Sequence, residues 1–205
     1  GNHQMSREII AILRGVKPDE VVGICENILE AGIDRIEVPL NSPQPFDSIG
    51  AIARAFGQNA LIGAGTVLTP EDAQRVKDVG GELVVSPDTN PAVIAKTKEL
   101  GMQSYPGVMT PTDCFAALRA GADGLKFFPG DLVGPAGLKA LRAVLPPEVP
   151  CYAVGGAGPN NFAEWAAAGA TGFGIGSAIY KAGLSAAEVR EKAEAIVAAY
   201  DAAMK

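Results

Sequence analysis

The chain has 205 residues and a net charge of −6 at neutral pH, from 17 basic and 23 acidic residues. Its length suits one domain with a substantial core, and a content of 48% hydrophobic and 20% charged residues is typical of globular proteins. Because the balance is acidic and no basic cluster occurs, we expect no nucleic-acid partner. The longest apolar runs, such as 9–13, are too short to span a membrane, so no membrane association is expected.

Histidine and cysteine are scarce, which narrows the chemistry. The one histidine is His3, so a histidine metal site or a Ser-His-Asp triad lacks its central residue. Acid–base work must therefore fall to carboxylates, lysine or tyrosine. Three cysteines are widely spaced and form no CxxC motif: Cys25, Cys114 and Cys151. Their odd number and spacing predict reduced thiols, hence a cytoplasmic protein with neither a disulfide framework nor a zinc site.

The N-terminus is predicted to be a leader over residues 1–8. Its first four residues, ahead of Met5, resemble a remnant of a cloning vector, and we leave them out of the fold. No charged segment followed by an apolar one opens the chain, so secretion is not expected. The folded domain is predicted over 9–205.

Short β-rich runs alternate with helical patterns from 9 to the C-terminus. Eight strands are predicted at 9–14, 35–40, 61–67, 83–87, 103–107, 124–128, 151–154 and 172–176. The helices predicted between them include 19–31, 71–79, 92–100, 112–120, 136–144, 161–168 and 186–203.

Capping signals support these boundaries independently. Thr69, Asn90 and Thr110 each stand before a proline, which places an N-cap and a first-turn proline at three predicted helix starts. The last helix opens with a capping box formed by Ser185 and Glu188. Glycines follow five of the helical runs, where C-caps belong: Gly32, Gly80, Gly101, Gly121 and Gly169.

Eight βα units of about 20 to 25 residues predict an α/β fold, a compact (β/α)8 TIM barrel formed by a single domain. The alternative is an open doubly wound sheet, which has the same alternation but fewer units. The barrel is small for its class, so its loops must be short. Catalytic groups of such barrels lie at the C-terminal ends of the strands.

Lys126 stands within an apolar run, GLKFFP at 124–129, that reads as a buried strand. Burying a charged ammonium is costly, and such a site lowers the pKa of the lysine. The neutral amine is then a nucleophile toward carbonyl carbons, which makes Lys126 a candidate Schiff-base lysine. The alternative is a lysine at the end of a strand, whose stem packs while its ammonium reaches water.

Glu37 is predicted to project into the barrel from the second strand. Strand alternation places it on the face opposite Ile36 and Val38, and that face is the interior. An inward carboxylate and an inward lysine could form only a buried ion pair. We favour the other interpretation, in which Lys126 is the nucleophile and Glu37 transfers protons.

Further polar or glycine residues occupy other predicted strand ends. Arg14 suits a carboxylate or phosphate ligand, and Thr66 offers a hydroxyl after the third strand. Glycine-rich turns follow the last two strands, where barrels bind phosphate through backbone N–H groups. The phosphate-binding candidates in these turns are Gly155, Gly156, Gly176 and Ser177. Two tight turns without a ligand are the alternative.

Four motifs, in this order, resemble those of the class I aldolases that act on 2-keto-3-deoxy-6-phospho sugar acids. They are IEVPLNS at 36–42, GAGTV at 63–67, GLKFFP at 124–129 and VGG at 154–156. The similarity extends from residue 9 over the remainder of the chain. It implies a homotrimeric (β/α)8 barrel that yields pyruvate and D-glyceraldehyde 3-phosphate, and that uses no metal or other cofactor.

The resemblance also implies a role for each candidate. Lys126 is similar to the Schiff-base lysine of the family and Glu37 to its proton-transferring carboxylate. Arg14 and Thr66 match positions that hold the pyruvate end of the substrate. The phosphate cradle matches Gly155, Gly156, Gly176 and Ser177.

One departure bears on the substrate. Gluconate-type aldolases resemble this chain but carry the pattern EVTLRT, where Pro39 and Asn41 here replace the threonine and the arginine. The segments 10–15 and 37–43 resemble galactonate-type members, so a role in galactonate catabolism is expected. The alternatives are cleavage of the gluconate epimer or of 4-hydroxy-2-oxoglutarate. A phosphosugar-binding sensor, in which Lys126 and Glu37 are only paired, is the non-enzymatic alternative.

Overall fold

The computed structural model describes residues 6–204, so His3 and the predicted remnant at 1–4 lie outside the described residues. Strands and helices alternate along the described chain. The strand segments are β1 Ile9–Ile12, β2 Arg35–Pro39, β3 Leu61–Gly65, β4 Leu83–Val85, β5 Gln103–Tyr105, β6 Gly107–Val108, β7 Leu125–Phe127, β8 Cys151–Val154 and β9 Gly172–Ile175. The helices are α1 Pro18–Ala31, α2 Pro45–Phe56, α3 Pro70–Asp78, α4 Pro91–Glu99, α5 Pro111–Arg119, α6 Gly130–Arg142, α7 Phe162–Ala168 and α8 Ala186–Ala203.

All neighbouring strands are parallel, in the order β5-β4-β3-β2-β1-β9-β8-β7-β6. The two ends of this order, β5 and β6, are consecutive in the chain and are separated by Pro106 alone. The backbone N–H of Lys126 donates to the carbonyl of Pro106 at 2.9 Å, which helps to join β7 to this position. The two segments thus fill one strand position of a nearly closed (β/α)8 barrel. The barrel prediction is confirmed, and the open sheet is not formed.

Two apolar layers lie on the two faces of the barrel wall, one outside it and one inside it. The larger layer lies between the strands and the helices, and its members include Ile36, Phe127 and Phe173. The smaller layer fills the barrel interior and consists of Ile10, Ile12, Leu83, Val85, Tyr105, Tyr152 and Val154. Strand alternation accounts for this division, since successive side chains point to opposite faces of the wall. Polar residues on the interior face are therefore held within an apolar lining.

The predicted helix signals act as expected. The side chains of Thr69, Asn90 and Thr110 accept hydrogen bonds from the first turns of α3, α4 and α5, each with proline at the start of the helix. Ser185 and Glu188 form the capping box of α8. These caps satisfy backbone N–H groups that would otherwise have no partner.

A helix is expected in each gap between strands, and α2 fills the gap for which no bounds are predicted; its N-cap, Gln44, has a left-handed φ of 36° and makes no side-chain capping bond. Two other local features differ from the sequence-based expectations. The helix α6 begins at Gly130 rather than 136, and Gly134 interrupts it with φ 69° and ψ 162°. The predicted strand over 103–107 is divided at Pro106, which has no N–H to donate.

Residues next to the N-terminal segment are tied to the barrel. Arg7 forms an ion pair with Asp201 at 2.7 Å, and the backbone N–H of Glu8 donates to the hydroxyl of Tyr200 at 3.1 Å. The three cysteines are buried free thiols. Across residues 6–204, we find no helix with both the length and the apolar character needed to cross a membrane.

Candidate active site

The C-terminal ends of β1, β7, β8 and β9, with the loops that follow them, line a cavity of about 730 Å³, which we call the mouth cavity. Six of the predicted site residues line it: Arg14, Lys126, Gly155, Gly156, Gly176 and Ser177. A narrower inner cavity lies deeper in the barrel and is lined by both Glu37 and Lys126. Thr66 joins the group through a hydrogen bond from Arg14. The structure thus brings all eight predicted residues together.

The mouth cavity is cationic although the chain is acidic overall. Arg14, Lys126 and Lys181 contribute to its lining, and no aspartate or glutamate does. Sequence analysis did not select Lys181, which follows the turn after β9. Its position four residues after Ser177, a predicted phosphate-binding residue, is the feature of the sequence that could have suggested a place in the site. A cavity with this lining favours anionic ligands.

Lys126 projects from β7 into the barrel and is only 6% exposed. Its Nζ lies 4.6 Å from the centre of the Phe128 ring, a cation–π contact with the ammonium form. Burial is the largest influence on the pKa of Lys126 and lowers it; Glu37 opposes this effect and Arg14 adds to it. The environment therefore favours the neutral, nucleophilic amine.

Glu37 projects inward from β2 and is only 2% exposed. Burial raises the pKa of Glu37 to about 7, despite the opposing charges of Lys126 and Arg14. Its Oε2 is buried and has no hydrogen-bond partner among the described residues. A carboxyl group with these properties can both donate and accept a proton near neutral pH.

The alternative of a simple buried ion pair is not what the geometry shows. The ion pairs within residues 6–204 include neither Lys126 nor Glu37. The two groups influence each other electrostatically across the inner cavity that both line. A buried pair that contributes to stability needs close contacts and satisfied hydrogen bonds, and these are missing here.

Gly65, at the end of β3, makes room for the Glu37 carboxylate. The pairing register places Pro39 beside Gly65, and a Cβ on Gly65 would overlap the carboxyl oxygens of Glu37. The glycines of the GAGTV motif were expected to allow close approach, and this one does so next to the proton-transferring candidate.

Arg14 lies beyond the end of β1, at the rim of the mouth cavity. Its Nη1 donates to Asn41 Oδ1 and, at 3.4 Å, to Thr66 Oγ1. Thr66 has a left-handed φ of 55°, an unfavourable conformation for a β-branched residue. Sequence analysis singled out Asn41 as a departure from a related pattern but missed its contact with Arg14. The two residues are 27 positions apart, so no local pattern reports the contact.

The glycine-rich turns follow β8 and β9, the two strands next to β1 on the side away from β2. Gly155 and Gly156 have φ values of 100° and 80°, which side chains rarely adopt. Asn161 holds the first turn by accepting from the backbone N–H of Gly158 at 3.0 Å and donating to the carbonyl of Gly156 at 2.8 Å. Within the described chain, the backbone N–H groups of Gly156 and Ser177 have no backbone carbonyl partner, and the Asp131 carboxylate lies against Gly156. Such amides are available to an anion.

A metal site is not apparent in the described part of the chain, where no group of three or more candidate ligands occurs among histidine, cysteine, aspartate and glutamate. The reactive and polar groups that line the two cavities include amines, a carboxyl group, a guanidinium group and backbone amides.

Comparisons with known proteins agree with this site. The family model for KDPG and KHG aldolase matches residues 2–196. The chain is 52% identical to the probable 2-dehydro-3-deoxy-6-phosphogalactonate aldolase of Rhizobium meliloti (strain 1021), over 97% of this chain and 93% of that protein. It is 46% identical to the 2-dehydro-3-deoxy-6-phosphogalactonate aldolase of Escherichia coli (strain K12), over 98% of each.

A solved structure of native KDPGal superposes with a TM-score of 0.94 at 47% identity, covering 95% of each chain. The resemblance noted from the motifs is therefore confirmed over the full length of the barrel. Aldolases are carbon–carbon lyases, so the chain is an enzyme of that class. The chain belongs to the KDPG and KHG aldolase family.

Proposed function

We propose that this enzyme is a class I aldolase that cleaves 2-dehydro-3-deoxy-6-phosphogalactonate to pyruvate and D-glyceraldehyde 3-phosphate, in galactonate catabolism. The observation that carries the proposal is the placement of the Lys126 amine and the Glu37 carboxyl group on one inner cavity, both buried and without an ion pair. Their pKa values are shifted toward the neutral forms of both groups. Nucleophilic catalysis on a ketone needs this combination of amine and proton carrier.

Lys126 begins the reaction. The neutral amine attacks the C2 ketone, and Glu37 transfers protons so that water leaves and an iminium forms. Because burial lowers the pKa of Lys126, the amine needs no strong base to become neutral. The iminium is the electron sink, so this sequence requires neither a metal nor another cofactor.

Glu37 then accepts the proton of the C4 hydroxyl, directly or through a water. The electron pair of the C3–C4 bond moves into the iminium, which releases the aldehyde and leaves an enamine of pyruvate. Protonation at C3 and hydrolysis free pyruvate and restore the amine. One carboxyl group with a pKa of about 7 can serve each proton transfer.

The two ends of the substrate are held by different groups. Arg14, with Thr66 beside it, binds the carboxylate of the 2-keto acid, since a guanidinium fork matches a carboxylate. The turns at Gly155, Gly156, Gly176 and Ser177 bind the phosphate through backbone N–H groups.

Borohydride reduction in the presence of pyruvate tests the proposal. The wild-type enzyme should form a stable adduct on Lys126, detected by intact mass and peptide mapping, and Lys126→Ala should form none. Lys139→Ala, which changes an exposed lysine on α6, is the matched control and should form the adduct normally. An adduct on Lys126→Ala would contradict the assignment. A wild-type enzyme without an adduct would favour the phosphosugar-binding sensor.

The choice of substrate needs a separate assay. Rates on the purified galactonate and gluconate epimers and on 4-hydroxy-2-oxoglutarate should be compared with one enzyme preparation. We expect the highest kcat/KM on the galactonate epimer, because the chain shares 52% and 46% identity with two relatives of that name. A higher kcat/KM on the gluconate epimer would make the alternative aldolase activity the main function.

We also propose that the enzyme is a cytoplasmic homotrimer. The trimer follows from the resemblance, and the location from the three free thiols. Sedimentation equilibrium of the purified enzyme checks the first proposal, and cell fractionation checks the second.

A further inference from the structure

Asn41 and Arg14 occupy adjacent loops at the barrel mouth. β1 and β2 are paired with Ile12 beside Glu37, so the loops that follow them run side by side. Arg14 Nη1 donates to the carboxamide Oδ1 of Asn41 and to Thr66 Oγ1. The guanidinium group is therefore held from two directions by residues on the ends of the next two strands.

The loops are also fastened through their next residues. The backbone N–H of Gly15 donates to Ser42 Oγ at 2.9 Å, and Ser42 is buried. The backbone N–H of Ser42 donates in turn to the carbonyl of Pro39 at 3.0 Å. These bonds fix the backbone on which Asn41 stands, so its carboxamide is presented to Arg14 from a defined position.

The chemistry of the partner matters as much as its position. A free arginine side chain has a conformational freedom of about 2 kcal/mol, and it is pre-organised when a partner holds it. A carboxylate could hold Arg14 equally well but would neutralise its charge. An amide oxygen accepts the hydrogen bond and leaves the positive charge for a ligand. The ion pairs of the described residues do not include Arg14.

We propose that Asn41 is a positioning residue that fixes the Arg14 guanidinium over the mouth cavity without neutralising it, so that Arg14 can bind the carboxylate of a 2-keto acid. The proposal rests on the proposed function in assigning that carboxylate to Arg14. It goes further in giving Asn41 a role that acts through Arg14 and not on the substrate.

The position of Arg14 also bears on the reacting groups. Its charge lowers the pKa of both Glu37 and Lys126. Besides Arg14 and Lys126 itself, the basic residue in the lining of the mouth cavity is Lys181. A displaced guanidinium should therefore raise the pKa values of Glu37 and Lys126 together and move both limbs of the pH–rate profile toward higher pH. A contact that only stabilised the loops would not shift this profile.

Pyruvate and borohydride provide the first measurement, with the pyruvate concentration that gives half-maximal trapping as the readout. Asn41→Ala should raise this half-maximal pyruvate concentration about tenfold, which is the size of effect expected for losing a hydrogen bond to a charged group. Asn41→Asp should raise it further, because the new carboxylate competes for Arg14. Asn41→Gln should recover part of the loss. Asn59→Ala, an exposed asparagine after α2, is the control and should match the wild type.

A double-mutant cycle with Arg14→Ala decides between positioning and direct contact. If Asn41 acts through Arg14, Asn41→Ala should have no further effect on trapping or on the pH profile when Arg14 is absent. A full effect of Asn41→Ala in the Arg14→Ala background overturns the proposal. So does a changed ratio of rates on the two C4 epimers with unchanged pyruvate affinity. Trapping of pyruvate by the wild-type enzyme tests the proposed function separately. If the wild-type enzyme forms no adduct, the proposed function fails, and this result does not depend on any Asn41 variant.

Discussion

The two ends of the barrel differ in the hydrogen bonding of their polar groups, although Asp34 Oδ1, next to Arg35, is also buried without a partner among the described residues. At the N-terminal end, Arg35 donates to the hydroxyl of Tyr152 at 2.5 Å and to Ser6 Oγ at 3.2 Å, and Tyr105 donates to Gln103 at 3.1 Å. At the C-terminal end, Glu37 Oε2 has no hydrogen-bond partner within the described chain, and the Nζ of Lys126 lies 4.6 Å from the centre of the Phe128 ring.

The contrast agrees with a division between polar groups that stabilise the barrel and the two groups proposed to carry the chemistry. A satisfied buried network is compatible with a rigid wall, whereas an unsatisfied group costs free energy that packing elsewhere must offset. Barrel enzymes place their chemistry at the C-terminal face, and the unsatisfied pair lies on that side. The following predictions test this division from the largest expected effect to the smallest.

Glu37→Gln should lower kcat by about 10²–10⁴-fold, the usual range for general acid–base catalysis. Glu8→Gln is the matched change at the other end, because burial raises the pKa of Glu8 as well. It should leave kcat nearly unchanged. Steady-state rates on the galactonate epimer measure both. A near-normal rate for Glu37→Gln would remove this carboxyl group from the mechanism.

The dependence of stability on pH should also distinguish the two ends. The pKa of Glu37 is about 7 in the folded chain against an ordinary value of 4.5, so the folded state binds more protons between these values. The free energy of unfolding should therefore fall as the pH rises through this window, by about 3 kcal/mol from Glu37.

Urea unfolding of the wild type and Glu37→Gln at several pH values isolates this contribution. The variant should lose most of the fall between pH 4.5 and pH 7, while Glu8→Gln should lose a smaller part because Glu8 is less buried. Parallel curves for the wild type and Glu37→Gln would show that the carboxyl group is not held protonated by its surroundings.

The smallest expected effect on stability comes from removing the hydroxyl group of a tyrosine at each end of the barrel. Tyr152→Phe removes a satisfied hydroxyl and leaves Arg35 without that partner, so it should destabilise the fold by about 1–3 kcal/mol. Tyr180→Phe removes a buried hydroxyl that has no partner among residues 6–204, so it should be neutral or stabilising. Thermal and urea unfolding measure both. Equal losses would mean that hydrogen bonding does not separate the two ends.

Much of the fold could be predicted because its signals are local. The caps at Thr69, Asn90 and Thr110 mark helix starts by residue type and spacing alone, and each is found in the structure. The start of α2 could not be found this way, since Gln44 supplies no capping side chain. The break at Pro106 has a local signal as well, because proline has no N–H to donate, and the strand predicted over 103–107 does not take it into account.

The candidate site likewise has features with local signals in the sequence and features that depend on contacts between distant segments. Lys126 and Glu37 could be selected because a charged group within an apolar strand is conspicuous in the sequence. Their pKa values and the missing ion pair depend on distances across the barrel, which no motif contains. The contact of Asn41 with Arg14 likewise joins two loops 27 residues apart. The sequence therefore predicts the candidate reacting groups, but not the contact between Asn41 and Arg14 on which the further proposal rests.

The bare backbone at Gly65 has a consequence for changing this enzyme. The Glu37 carboxyl group fills the space that a side chain on residue 65 would need. A larger residue at position 65 is therefore incompatible with the present position of this carboxyl group, and the two positions can change only together. When random mutation is used to broaden the substrate range, substitutions in the outer loops should be tolerated far more readily than the addition of even a methyl group at position 65. Directed-evolution libraries should hold Gly65 fixed, or vary it only together with Glu37.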